Sequence, residues 1–217
     1  MTTRPLAACL ATAAALALPA GARAEGVRFF FRGALGAGYG GFVTSGSGPE
    51  VAIHGPGALG NFAVGLSLGR GFAVHIDACA MALVSPTVTV NGTDRESPTA
   101  ADSTTTLSII GGGVTWRHPS NFWGSVSGGV AVMGVEIPGG VCTDPTTMRR
   151  FDCSYALTQL GGGAILLVGR DWPLAYAWRI GAAVHGVFAA VPDQPAGGVQ
   201  PLWLSFGGGA SLVITAQ

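Results

Sequence analysis

Lysine is missing from the 217-residue chain: all 11 basic residues are arginine, set against 11 acidic ones for a formal net charge of zero. Only 10% of residues are charged, which leaves no basic face for a nucleic acid and too little charge for a disordered polyelectrolyte. Proline is sparse at 13, and glycine, at 36, never recurs strictly every third residue, so a collagen-like chain is excluded. The four cysteines are not spaced as metal ligands, and no metal or other cofactor is expected. A helical membrane span, which needs about 20 apolar residues, is also lacking. The nearest candidate, residues 174–191, is interrupted by Arg179 and His185 and carries Gly181 and Gly186. What is abundant is apolar: 48% of residues are hydrophobic and the mean hydropathy is +0.47. A membrane reached by strands fits this combination.

The first 24 residues read as a secretory signal: Arg4 supplies the charge, residues 6–18 the apolar run, and Ala22-Arg23-Ala24 an A-x-A cleavage site. Residues 25–217 are then the mature barrel domain, with 9 basic against 11 acidic residues, net −2, too little to steer a charged partner. Export permits disulfides. Cys142 and Cys153 close a polar segment, and a bond between them is expected, while Cys79 lies in a strand-like stretch.

Eight stretches have strand character, at 27–42, 59–69, 71–84, 104–117, 121–137, 155–169, 174–189 and 202–215. In the third, Phe72, Val74, Ile76, Ala78, Ala80 and Ala82 oppose His75, Asp77, Cys79 and Met81. In the first, Phe29, Phe31, Leu35, Ala37 and Tyr39 oppose Arg28 and Arg32, and in the seventh a similar apolar series opposes Arg179 and His185. A period of two is the period of a strand. The connections alternate: tight turns are expected at Arg70, at His118-Pro119-Ser120 and at Arg170-Asp171-Trp172-Pro173, and long polar loops at 43–58, 85–103, 138–154 and 190–201. That asymmetry, with an even strand count, is the rhythm of an all-β, eight-stranded antiparallel transmembrane up-and-down β-barrel.

Aromatic residues cluster near the expected short turns (Phe29, Phe30, Phe31, Phe72, Trp116, Phe122, Trp123, Trp172, Tyr176, Trp178) and, more sparsely, near the long loops (Tyr39, Phe42, Phe62, Tyr155, Phe188, Trp203). Two bands suggest interfacial girdles, whereas a soluble sandwich places large aromatics mid-strand. A weak repeat, Ile110-Gly-Gly-Gly-Val114, Leu160-Gly-Gly-Gly-Ala164 and Phe206-Gly-Gly-Gly-Ala210, lacks the Gly-Lys-Ser/Thr of a phosphate loop and reads as close packing in a narrow barrel.

On these features the chain resembles the small eight-stranded outer-membrane barrels of Gram-negative bacteria, the class that includes OmpA, OmpX and OmpW. The resemblance covers residues 25–217 and implies an outer-membrane location, lipid contact, insertion by the outer-membrane assembly machinery and a monomeric state. It departs at the end, Val213-Ile214-Thr215-Ala216-Gln217, where such proteins usually carry a terminal aromatic residue.

The expected lumen holds Arg28, Arg32, His75, Asp77, Gln159, Arg179 and His185. Eight-stranded barrels are just wide enough for side chains to fill, so a charge-paired plug, with Asp77 facing Arg28, Arg32 or Arg179, is favoured over a narrow polar pore. The expected role is structural or minor transport, without catalysis. An outer-membrane lipid-modifying enzyme is the first alternative, with His54, Ser154 or Ser85, and Glu50 or Asp152 as candidate groups, although no G-x-S-x-G motif supports it. A surface adhesion protein, acting through loops such as 91–103 or through Arg149 and Arg150, is the second. The competing fold is a secreted lipocalin-like barrel, apolar within and polar outside.

Overall fold

The computed structural model describes residues 28–45, 50–69, 71–95, 104–137, 141–143, 150–152, 155–192 and 202–217. The expected signal sequence, Cys153 and the side chain of Cys142 lie outside the described residues, and with them the expected disulfide.

Among the described residues there are twelve strands, the longer ones built on alternation of apolar and small or polar residues. Eight of them form a ring: β1 (Arg28–Ser45), β2 (Val51–Gly69), β3 (Phe72–Val84), β6 (Thr104–Arg117), β7 (Phe122–Ile137), β10 (Tyr155–Ala175), β11 (Trp178–Pro192) and β12 (Leu202–Ala216). Each is antiparallel to its neighbours in the order β1-β12-β11-β10-β7-β6-β3-β2, and β1 pairs back onto β2, so the sheet closes. Closure removes both open edges, which an unpaired sheet would leave with exposed amides and carbonyls. Four short strands lie in the long connections: β4 (Thr87–Val90), β5 (Thr93–Arg95), β8 (Val141–Thr143) and β9 (Arg150–Asp152).

Several boundaries differ from the sequence expectation. The first expected loop, 43–58, is mostly ladder: Val43 pairs with Ala52 and Ala37 with Ala58, because the backbone hydrogen bonds of this hairpin continue past the apolar segment. Within 85–103, β4 pairs with the start of β2, opposite residues Val51 to His54, and β5 pairs with β4. Arg170-Asp171-Trp172-Pro173 is no turn but the end of β10; the chain reverses at Tyr176-Ala177. Asp171 is fully buried there, tied to groups on β6 and β7, and that attachment carries the strand beyond the expected reversal.

The other two tight turns need special backbone conformations. Asn121 takes a φ of 68°, and Gly71 a φ of 80°, where an added Cβ would sit 2.3 Å from the carbonyl oxygen of Arg117. Glycine is the residue that accepts both conditions.

The two faces of the ring differ sharply. Leu35, Ile76, Leu160, Val184 and Leu212 are all more than 60% exposed on the outer face, and Leu66, Val126, Val130, Leu166 and Phe206 share it. The inner face is layered. Toward the long-loop end it is an apolar cluster that includes Phe42, Met81, Leu83, Leu107, Ile109, Met133, Val187 and Trp203. Toward the short turns it carries buried polar groups, Arg32, His75, Asp77, Thr115 and Ser125 among them, beside Phe30 and Trp123. The strands' inward positions therefore change character along their length.

Of the aromatic residues, Phe29, Phe72, Trp116, Phe122, Trp172, Tyr176 and Trp178 stand outward near the short turns, but Phe30 and Trp123 are buried inside. Phe62, expected near the long loops, packs edge-on against Phe31 at 5.2 Å in the short-turn half, because β2 starts eight residues before the expected position. Phe42 and Trp203 also point inward.

Candidate functional site in the barrel interior

Arg32, on β1, enters the barrel and is 1% exposed. Its Nη1 donates to Thr115 Oγ1 and its Nη2 to Ser125 Oγ, both at 3.1 Å, so one guanidinium links β1 to β6 and β7 across the lumen. Nη2 also lies 3.6 Å from Asp77 Oδ2 on β3. The guanidinium carbon is 4.8 Å from the centroid of Trp123 and 5.7 Å from that of Phe30, so its faces rest on rings while its edges donate hydrogen bonds.

Asp77 is fully buried. Ser127 Oγ donates to its Oδ2 at 2.7 Å, and Asn61 Nδ2 donates to its Oδ1. Two donors and a guanidinium compensate the carboxylate for the water it has lost. His75, two residues earlier on the same face of β3, places Nε2 within 3.0 Å of Thr115 Oγ1 and 3.2 Å of Ser125 Oγ, and Thr115 donates to Ser125 at 3.0 Å. Five ring strands, β1, β2, β3, β6 and β7, are thus joined through side chains as well as through the ladder.

A second group seals the short-turn end. Trp123 Nε1 donates to Asp171 Oδ1 at 2.7 Å, and Arg117 Nη2 lies 2.9 Å from Asp171 Oδ2. Trp123 joins the two groups, as it also underlies Arg32. Arg179 Nη1 donates to Asn121 Oδ1 at 2.8 Å at the rim.

The sequence-derived lumen set divides accordingly. Arg32, His75, Asp77, Gln159 and His185 are buried inside the ring. Arg28 is exposed at the start of β1 and does not line the interior: it pairs with Ser67 of β2 but lies before Phe31, where the ladder to β12 begins. Arg179 is half-buried and bound to the turn at Asn121 rather than to Asp77. Sequence reading passed over Asn61, Thr115, Ser125, Ser127, Trp123, Arg117 and Asp171. The signal for most of them was available: each alternates with outward apolar residues on its strand. Asp171 was hidden by a Trp-Pro pair that imitates a turn.

The candidate catalytic groups are described only in part. His54 stands half-buried on the outer side of β2 with its Nδ1 2.6 Å from Tyr39 Oη, Ser85 and Glu50 are exposed, and Ser154 and the side chain of Asp152 lie outside the described residues. Among the described residues no group of His, Cys, Asp and Glu is arranged to hold a metal ion.

No family model matches the sequence, and no curated protein matches it. Among solved structures the chain is similar to Neisserial surface protein A, at 12% identity and a TM-score of 0.44, over 88% of this chain and 99% of that one. It is likewise similar to the outer membrane protein OprG from Pseudomonas aeruginosa, at 12% identity and a TM-score of 0.43 over 88% and 95% of the two chains. The attachment invasion locus protein Ail of Yersinia pestis follows at 7% identity and a TM-score of 0.38, over 84% and 98%. The assignment of this chain as a closed eight-stranded barrel stands on its own strand ladder.

Proposed function

We propose that the protein is an integral, monomeric outer-membrane barrel with a closed lumen, whose role is structural and non-catalytic. The supporting observation is the pairing of an outer face carrying residues such as Leu35 and Leu212 at more than 70% exposure with an interior in which Arg32 and Asp77 are fully enclosed. A soluble monomer rarely exposes so broad an apolar band. In hydrocarbon the band is solvated by lipid, and a closed ladder leaves no backbone group unpaired. The aromatic residues at the short-turn end match the interface, and export through a cleaved leader followed by insertion through the outer-membrane assembly machinery completes the reading. The cross-lumen bonds of Arg32 favour a plug over a pore, because ion flow requires that ring of contacts to part.

Two measurements test this reading. Unboiled protein in detergent is expected to migrate faster than boiled protein with a β-type circular dichroism spectrum; a chain that stays compact and soluble without any amphiphile overturns the membrane assignment. Refolded protein in planar bilayers is expected to give no discrete ion conductance, and regular steps would overturn the closed lumen. A lipid-hydrolase activity abolished by His54→Ala would replace the structural role with an enzymatic one.

A further inference from the structure

Outward residues of β7, β10 and β11 line up row by row. Arg170 stands between Phe122 and Ala182, Val168 between Gly124 and Val184, Leu166 between Val126 and Gly186, and Ala164 between Gly128 and Phe188. Among the described outward residues of the ring strands the charged ones are Glu136, toward the long-loop end, and Arg170, toward the short turns. No carboxylate among the described residues is paired with Arg170. Its guanidinium carbon lies 5.1 Å from the centroid of Phe122 and 5.7 Å from that of Trp172, both on the outer face. Directly inward along the same strands, two shallow apolar grooves of about 270 and 370 Å³ open on this face, sharing Val126 and Leu166 as a ridge. The glycines at 124 and 186 make the depressions.

We infer that this face holds one anionic phospholipid of the short-turn leaflet, with its phosphate on Arg170 and an acyl chain laid along the grooves. The inference rests on the membrane reading above. An arginine in an otherwise apolar outer wall gains by meeting an anion, and its planar fork suits a phosphate, which it can bind through two N–H groups at once. The two rings lie against the guanidinium at the level where headgroups lie, leaving its N–H edges free. Below it, absent side chains at Gly124 and Gly186 let a hydrocarbon chain approach the backbone, gaining dispersion contacts that a bulkier wall would deny.

The test is native mass spectrometry of the purified protein titrated with phosphatidylglycerol or with phosphatidylcholine of the same acyl chains. Wild type is expected to retain one phosphatidylglycerol about tenfold more tightly than phosphatidylcholine, the scale of a lost charge-assisted contact. Arg170→Gln is expected to abolish that preference, and Arg170→Lys to keep part of it. Gly186→Leu, where an added Cβ meets nothing closer than 3.9 Å, is expected to fold normally and weaken retention of both lipids. Equal retention of the two lipids by wild type, or an unchanged preference in Arg170→Gln, overturns the site. Displacement of the lipid by equimolar inorganic phosphate overturns the acyl groove. Failure of wild type to hold the fast-migrating form in detergent defeats the membrane reading instead, so the two failures are distinguishable.

Discussion

Asp77→Ala is expected to lower the unfolding free energy of the refolded barrel by about 3–5 kcal/mol, the cost of leaving a buried charge without its partner. Arg32 cannot turn to water: it is 1% exposed, held by Thr115 and Ser125, and stacked on Trp123. Ser127 loses its acceptor in the same step, and Asn61 keeps only the Ala78 carbonyl at 3.5 Å. Urea titration of the protein in lipid vesicles, followed by tryptophan fluorescence, measures the loss. The double variant Arg32→Met/Asp77→Leu is expected to recover most of it, since a matched apolar pair leaves no orphaned charge. Thr115, Ser125 and His75 still bond one another in its absence. A loss below about 1 kcal/mol in the single variant would mean that the plug is not built on this pair, because that is the range of an exposed ion pair.

Gly129→Val is expected to cost at least the upper part of the range of about 1–3 kcal/mol seen for overpacking, and to reduce the yield of the fast-migrating folded form. An added Cβ at 129 would lie 2.1 Å from the carbonyl oxygen of Ile110 and 2.4 Å from the Cα of Gly111, its partner across the β6–β7 ladder. These are backbone atoms, so no rotamer change relieves the clash. Gly112→Val is the control. It occupies the middle of the β6 triplet whose first glycine, Gly111, faces Gly129; it points outward and has nothing within 4 Å of an added Cβ, so a branched side chain there is expected to leave stability within about 0.5 kcal/mol. Equal losses in the two variants would show that the glycines matter through strand flexibility rather than through close approach. The same unfolding titration decides between them.

The triplet repeat thus has two parts that sequence alone does not separate. Gly112, Gly162 and Gly208 share an outward parity, while Gly111, Gly161 and Gly209 sit where neighbouring backbones nearly touch. Which glycine fills which role depends on stagger between strands, a quantity that no single strand carries.

What the sequence determined by itself was the strand class and the inside-outside pattern. Period-two alternation in β3 placed His75, Asp77, Cys79 and Met81 on one face before any pairing was known, and that face is the interior. The number of ring strands followed from the alternation of short and long connections. Tertiary structure decided register, and with it the partners. Asp77 had three arginines to choose from, and the choice of Arg32 comes from the pairing of β1, β2, β3, β6 and β7 around the ring, which brings residues 45 positions apart to 3.6 Å. Pairing also turned the apparent turn at Asp171 into strand and placed Arg28 at the rim. The physical reason is common to these cases. Alternation is a local property of each strand's pleat, whereas a charge pair, a rim or a close backbone approach is fixed by the shear of the closed sheet, which only all eight strands together define.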